Sequence, residues 1–182
     1  MPARQPDRVA RWENWEGTSH EHLLLWQEAG GITVESAIVG DDYAARYRVT
    51  CDPHWGLRRL EVDVLGQPSF LLQADREGNW TDGSGRSLPA LAGAIDIDLP
   101  ATPFTNTLPV RRLKLQPGQS ADIVTAYVIF PDLSLQADPQ RYTCIDPNHY
   151  RYDSRDSDFT AEIAVDADGL VIDYPGLFRR IP

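Results

Sequence analysis

The chain has 182 residues, with 27 acidic side chains against 17 basic ones and a formal net charge of −10. That length suits one domain with a sizeable core, 1–182, and the acidic surface repels phosphate backbones and anionic lipid surfaces, so neither a nucleic-acid partner nor stable membrane insertion is expected. No apolar run reaches spanning length and Met1 to Arg8 lead into no apolar signal core, so a cytoplasmic protein with two free thiols is the expectation.

In chain order, alternation and turn residues dominate and helical periodicity is scarce. Residues 21–28 and 32–39 read as a hairpin around Ala29-Gly30-Gly31. In 43–51, Tyr43, Ala45, Tyr47, Val49 and Cys51 alternate with Ala44, Arg46, Arg48 and Thr50. In 57–65, Leu60, Val62 and Val64 alternate with Arg59, Glu61 and Asp63. Segments 69–75, 79–81 and 91–98 continue the pattern between Asp-, Gly- and Pro-rich turns. After an interruption come 121–130, 133–137, 140–145, 149–153, 159–165, 170–174 and 177–181. The interruption, Pro100 to Leu115, is the one helix candidate: Thr102 caps it, Pro103 suits the first turn, and Pro109 shortens or breaks it. The expected fold class is all-β, one long antiparallel sheet curled around a short helix near residues 103–113. Edge strands of an incompletely closed roll would offer pairing to a second copy, hence a homodimer.

A short pattern occurs in each half. Tyr47-Arg48-Val49-Thr50-Cys51-Asp52-Pro53-His54-Trp55 is echoed by Gln140-Arg141-Tyr142-Thr143-Cys144-Ile145-Asp146-Pro147-Asn148-His149-Tyr150. This spacing is too long for a solenoid unit and points to an internal duplication within one sheet.

The run Asp96-Ile97-Asp98-Leu99-Pro100-Ala101-Thr102-Pro103-Phe104-Thr105-Asn106-Thr107-Leu108-Pro109-Val110-Arg111-Arg112-Leu113 resembles the signature of the bacterial putative glycolipid-binding family. Tyr47-Arg48-Val49, Gln140-Arg141-Tyr142 and the stretch from Val165 to Pro175 agree with it, so the likeness spans the chain from about Trp12 onward. The resemblance implies a spiral β-roll around one α-helix with a cavity on its concave side, akin to bacterial carriers of lipoproteins or lipids. No catalytic residue, cofactor or metal comes with it.

The candidate ligand is therefore an amphipathic small molecule such as a glycolipid. Arg46, Arg48, Asn106, Arg111 and Arg112 would fix its head group through charged and bidentate donors. Trp55 and Tyr142 would line an apolar wall, since aromatic rings also stack on sugar faces. The competing reading pairs these arginines with Glu61, Asp63, Asp96 and Asp98 on the solvent face. An enzyme is the first alternative, acting on a glycosylated or lipidic substrate with Asp96 or Asp98, which share one strand face, as acid–base. A protein-interaction module is the second, recognisable by an exposed apolar patch. His20 and His22 lack a third ligand for a metal, and the lone cysteines lack a zinc spacing.

Overall fold

The computed structural model describes residues 4–182, so the leader reading of Met1–Ala3 falls outside the described residues. The first half carries β1 (Arg8–Asn14), β2 (His20–Glu28), β3 (Gly31–Val39), β4 (Ala44–Cys51), β5 (Leu57–Val64), β6 (Phe70–Ala74) and β7 (Trp80–Asp82). The second carries β8 (Asp96–Asp98), α1 (Thr107–Leu113), β9 (Ser120–Ile129), β10 (Ser134–Asp146), β11 (His149–Ser154), β12 (Thr160–Val165), β13 (Val171–Tyr174) and β14 (Phe178–Ile181). All fourteen strands form one curled, open sheet in the order β7-β6-β5-β4-β3-β2-β1-β14-β13-β12-β11-β10-β9-β8. A seven-strand meander and a six-strand meander extended by β8 thus meet where β1 pairs antiparallel with β14.

The all-β expectation holds, with three corrections. β8 joins β9 in parallel, so the sheet is not wholly antiparallel. Segment 91–98 contributes only Asp96–Asp98 as strand, preceded by a 3-10 turn at Pro89–Leu91. Segments 133–137 and 140–145 are one strand, because Pro139 pairs with Val124 of β9 and pairing to β11 begins only at Gln140, so the N–H that Pro139 lacks is not called on by the β11 ladder. β1 carries a weak signal: its inner residues Ala10 and Trp12 alternate with the outer residues Val9 and Arg11, and an apolar residue on the outer face blurs the alternation.

The hairpin corners share one device, which explains much of the acid excess. Asp52 accepts from the N–H groups of His54 and Gly56, and Asp75, Asp82 and Asp166 repeat the same i+2, i+4 pattern. Asp146 accepts from Asn148 N–H in the second copy of the repeated motif. Such Asx turns replace backbone partners lost at the corner. A bond from the Ser84 side chain and the backbone N–H donors hold the Asp82 carboxyl low, at about 2. Cys51 and Cys144, the paired cysteines of the motif, are both buried and free.

The sheet's inner face is covered by its own crossover. Thr102 Oγ1 accepts from Phe104 N at 3.0 Å, Pro103 opens a 3-10 turn at Pro103–Asn106, and α1 follows with Pro109 in its first turn. There its absent N–H costs nothing. Phe104 and Leu108 pack into the cluster of Trp12, Leu23, Ile38, Tyr47 and Leu60. Val110 packs instead with Tyr142, Cys144, Ile163 and Val171 from the other half. Among the described residues no helix is long and apolar enough to cross a membrane.

One ion pair ties this plug to the sheet. Asp96, wholly buried on β8, takes a bidentate grip from Arg112 at the end of α1, with Nη2 at 2.6 Å and Nε at 3.0 Å. Removing one partner leaves a buried charge, which costs about 3–5 kcal/mol, whereas replacing both with apolar groups is far cheaper. Arg112→Met is therefore expected to lose about 3–5 kcal/mol in urea unfolding, and adding Asp96→Leu to recover most of it. A double variant as unstable as the single one contradicts this.

Candidate functional site

Because the helix and the core fill the middle of the roll, open space lies at its two mouths and along its seam. One mouth gathers the C-terminal end of β8, the approach to α1, and the ends of β11 and β13. Asp98, Thr102 and Asn106 form its floor, Tyr127, Tyr152 and Tyr174 its walls, and Phe159, Leu177 and Phe178 its rim, around about 260 Å³.

The floor is polar and negative. Asp98 accepts from Thr105 Oγ1 at 3.0 Å and from Gln140 Nε2 at 2.7 Å, and the same Nε2 reaches Asp138 Oδ2 at 2.7 Å. Burial pushes both carboxyls above their usual range. Tyr127, Tyr142, Tyr152 and Tyr174 are all pushed up, first by burial and then by the charge of Asp98, so each stays a phenol able to donate. Tyr142 OH donates to Asn106 Oδ1 at 2.7 Å, and Asn106 Nδ2 donates to the Pro103 carbonyl at 3.1 Å. The amide is thereby oriented, with a second N–H left for a ligand. Tyr142 meets Tyr152 edge-on at 5.6 Å and Tyr152 meets Phe159 at 5.8 Å, an aromatic path from floor to rim. The rim continues apolar: Phe159 is 43% exposed, Leu177 38%, and Trp15, whose backbone N–H donates to the Leu177 carbonyl, 42%.

Behind the floor sits a second acid. Glu21 on β2 accepts from Ser36 Oγ and Tyr47 OH, both at 2.6 Å, and Tyr47 OH lies 3.3 Å from Thr102 Oγ1. Its other oxygen is buried without a hydrogen-bond partner. Burial, opposed by the hydroxyls around it, raises the Glu21 carboxyl to about 7.

The sequence candidates are dispersed over four places. Asn106 and Tyr142 come together at this mouth. Trp55 and Arg111 come together at the opposite mouth, the guanidinium carbon 5.4 Å from the indole centroid. Arg112 lines an apolar groove of about 440 Å³ on the seam, with Leu113, Ile123 and Val124. Arg46 and Arg48 stand on the outer face, beside Asp63 at 2.8 Å and Glu35 at 3.7 Å, away from the other five. Of the two acids proposed as a pair, Asp96 is sealed under Arg112 and Asp98 alone lines a cleft. His22 is engaged by Arg11, and His20 lies 3.6 Å from Glu13.

Glu21, Tyr152, Gln140 and Asp138 were missed. Glu21 shares its parity on β2 with Leu23 and Leu25, a polar residue on the buried face, and that signal was readable. Gln140 and Tyr152 likewise share parity with Tyr142 and Tyr150.

A curled sheet of fourteen strands plugged by one helix leaves clefts at its mouths, places where folds of this kind accommodate small molecules. The chain belongs to the family described as putative glycolipid-binding, whose profile matches residues 9–180. It is also similar to the 1.80 Å crystal structure of a DUF1089 family protein from Pseudomonas aeruginosa, at 37% identity and a TM-score of 0.79, covering 100% of this chain and 96% of that one. Among curated proteins no match was found.

The raised Glu21 carboxyl has a signed consequence. Its contribution to stability is whole below the unfolded value of 4.5 and is lost as pH rises to about 7, where the folded state must also ionise. Glu21→Gln removes that slope. Thermal melting is expected to show the variant gaining on the parent by about 3 kcal/mol between those limits. A difference independent of pH contradicts it.

Proposed function

We propose that the protein binds an amphipathic, sugar-bearing ligand at the mouth lined by Asp98, Asn106 and Tyr152, and holds it without turnover. The observation that carries this is the continuity, in one cleft, of a polar floor with an apolar rim. Asp98 and Asn106 offer an acceptor pair and an oriented amide to sugar hydroxyls, and hydrogen bonds to a charged group are worth about 1.5–3 kcal/mol each. Tyr152 and Tyr174 offer faces on which sugar C–H groups stack. The 260 Å³ falls just under the roughly 300–1,000 Å³ of pockets that enclose drug-sized ligands. A head group fits inside, and an alkyl chain lies outside over Phe159, Leu177 and Phe178, gaining ~25 cal/mol per Å² covered. The family's description supports a binding role of this kind.

The enzyme alternative built on Asp96 and Asp98 would need both carboxyls at one cleft, and Arg112 holds Asp96 away from it.

Isothermal titration with octyl glucoside below its micelle concentration, and with glucose, tests the proposal. The alkyl glucoside is expected to bind about tenfold or more tightly than glucose. Phe159→Ala should weaken only the alkyl glucoside, and Asp98→Asn both. Absence of saturable binding, or variants that bind like the parent, would overturn it.

A further inference from the structure

At the opposite mouth the charges left without a counter-ion are cations. This mouth is built where the two copies of the repeated motif turn: Pro53, His54 and Trp55 follow β4, Pro147 follows β10, and the C-terminal end of α1 brings Arg111 and Lys114 between them. Two contiguous clefts of about 350 and 330 Å³ share Gln27, Trp55 and Arg111.

Two of its three lining lysine and arginine cations, Arg111 and Lys114, are unshared, which is rare in this molecule. Among the described residues, every arginine except Arg11 and Arg111 stands within 4.0 Å of a carboxylate. Lys114, the chain's single lysine, also has no carboxylate in that range among them. Arg111 makes one hydrogen bond at the limit of length, 3.5 Å to the Ala167 carbonyl, leaving most of its fork free. The acids in the walls are already spoken for: Asp168 by Arg8 at 2.5 Å, Asp166 by Arg180 at 2.6 Å, Asp7 by Arg4 at 3.3 Å and the Gln27 N–H at 2.7 Å, and nearby Asp52 by Arg76 at 2.6 Å.

Arg111 is also held in place. Its stem crosses Gly169 so closely that an added Cβ there would stand 2.8 Å from Cδ, and its guanidinium rests on Trp55. Trp55 itself sits at φ +67°, a left-handed backbone that a bulky side chain adopts only when its surroundings force it. A rigid arginine fork beside a flexible ammonium is the pairing that takes a phosphoryl group, the fork bidentate and the lysine as a point charge.

We propose that this mouth is a phosphoryl-anion site, served by Arg111 and Lys114, for an inorganic phosphate or the phosphate of a lipid head group. It is independent of the sugar-binding mouth, which shares no lining residue with it.

Calorimetric titration of the full chain with inorganic phosphate and with dihexanoyl phosphatidic acid below its micelle concentration tests this. Both are expected to bind, more weakly as sodium chloride rises. Arg111→Gln and Lys114→Gln should each weaken binding about tenfold, with melting temperatures close to the parent's. Equal affinity for the two ligands assigns the site to phosphate itself, and a tenfold preference for the lipid assigns it to a phospholipid head. No binding of either, or binding that survives Arg111→Gln with Lys114→Gln (an adventitious anion only), overturns the proposal, whatever octyl glucoside does at the other mouth.

Discussion

A fourteen-strand sheet that curls must cover the apolar face on its concave side, and nearly everything else follows from how that is done. Here the cover is the crossover between β8 and β9, with Phe104 and Leu108 turned to one meander and Val110 to the other. The Asp96–Arg112 pair stitches the two ends of that crossover together from inside. Dispersion and hydrophobic burial supply the attraction, while the ion pair defines one seating among several that apolar side chains alone would allow. With the lumen filled, ligands are left the mouths and the seam.

The two mouths differ in which charges lack a counter-ion because the chain distributes its acids unequally. Turn aspartates such as Asp75, Asp82 and Asp146 have carboxyls held low by hydrogen bonds and are committed to the corners. Glu21, Asp98 and Asp138 are pushed up by burial. Hydroxyls and one amide contact them instead of cations. That leaves a tyrosine-walled mouth whose acids lack cationic partners at one end of α1, and at the other a mouth where Arg111 and Lys114 lack carboxylate partners beside Trp55. An overall charge of −10 conceals both.

Local rules made the architecture legible. Two-residue alternation located most strands, the Thr102-Pro103 start located the helical segment, and the Cys-Asp-Pro repeat marked two hairpins whose turns now face one mouth. Alternation also separated Arg46 and Arg48 from Tyr47 and Val49, but parity alone does not say which face meets a ligand. In a roll, their face is the outside. The site was less legible since its contacts are long-range. Asp98 meets Gln140 across 42 positions, and Tyr142 meets Asn106 across 36, distances no periodicity encodes.

The central claim is that the helix is a permanent plug and that ligands bind around it. Hydrogen exchange at the α1 amides from Thr107 to Leu113, Pro109 excepted, with and without saturating octyl glucoside tests that most directly. Equally slow exchange in both conditions is the expected result. Faster exchange on loading would mean that the chain enters the lumen by displacing the helix, and would contradict the account.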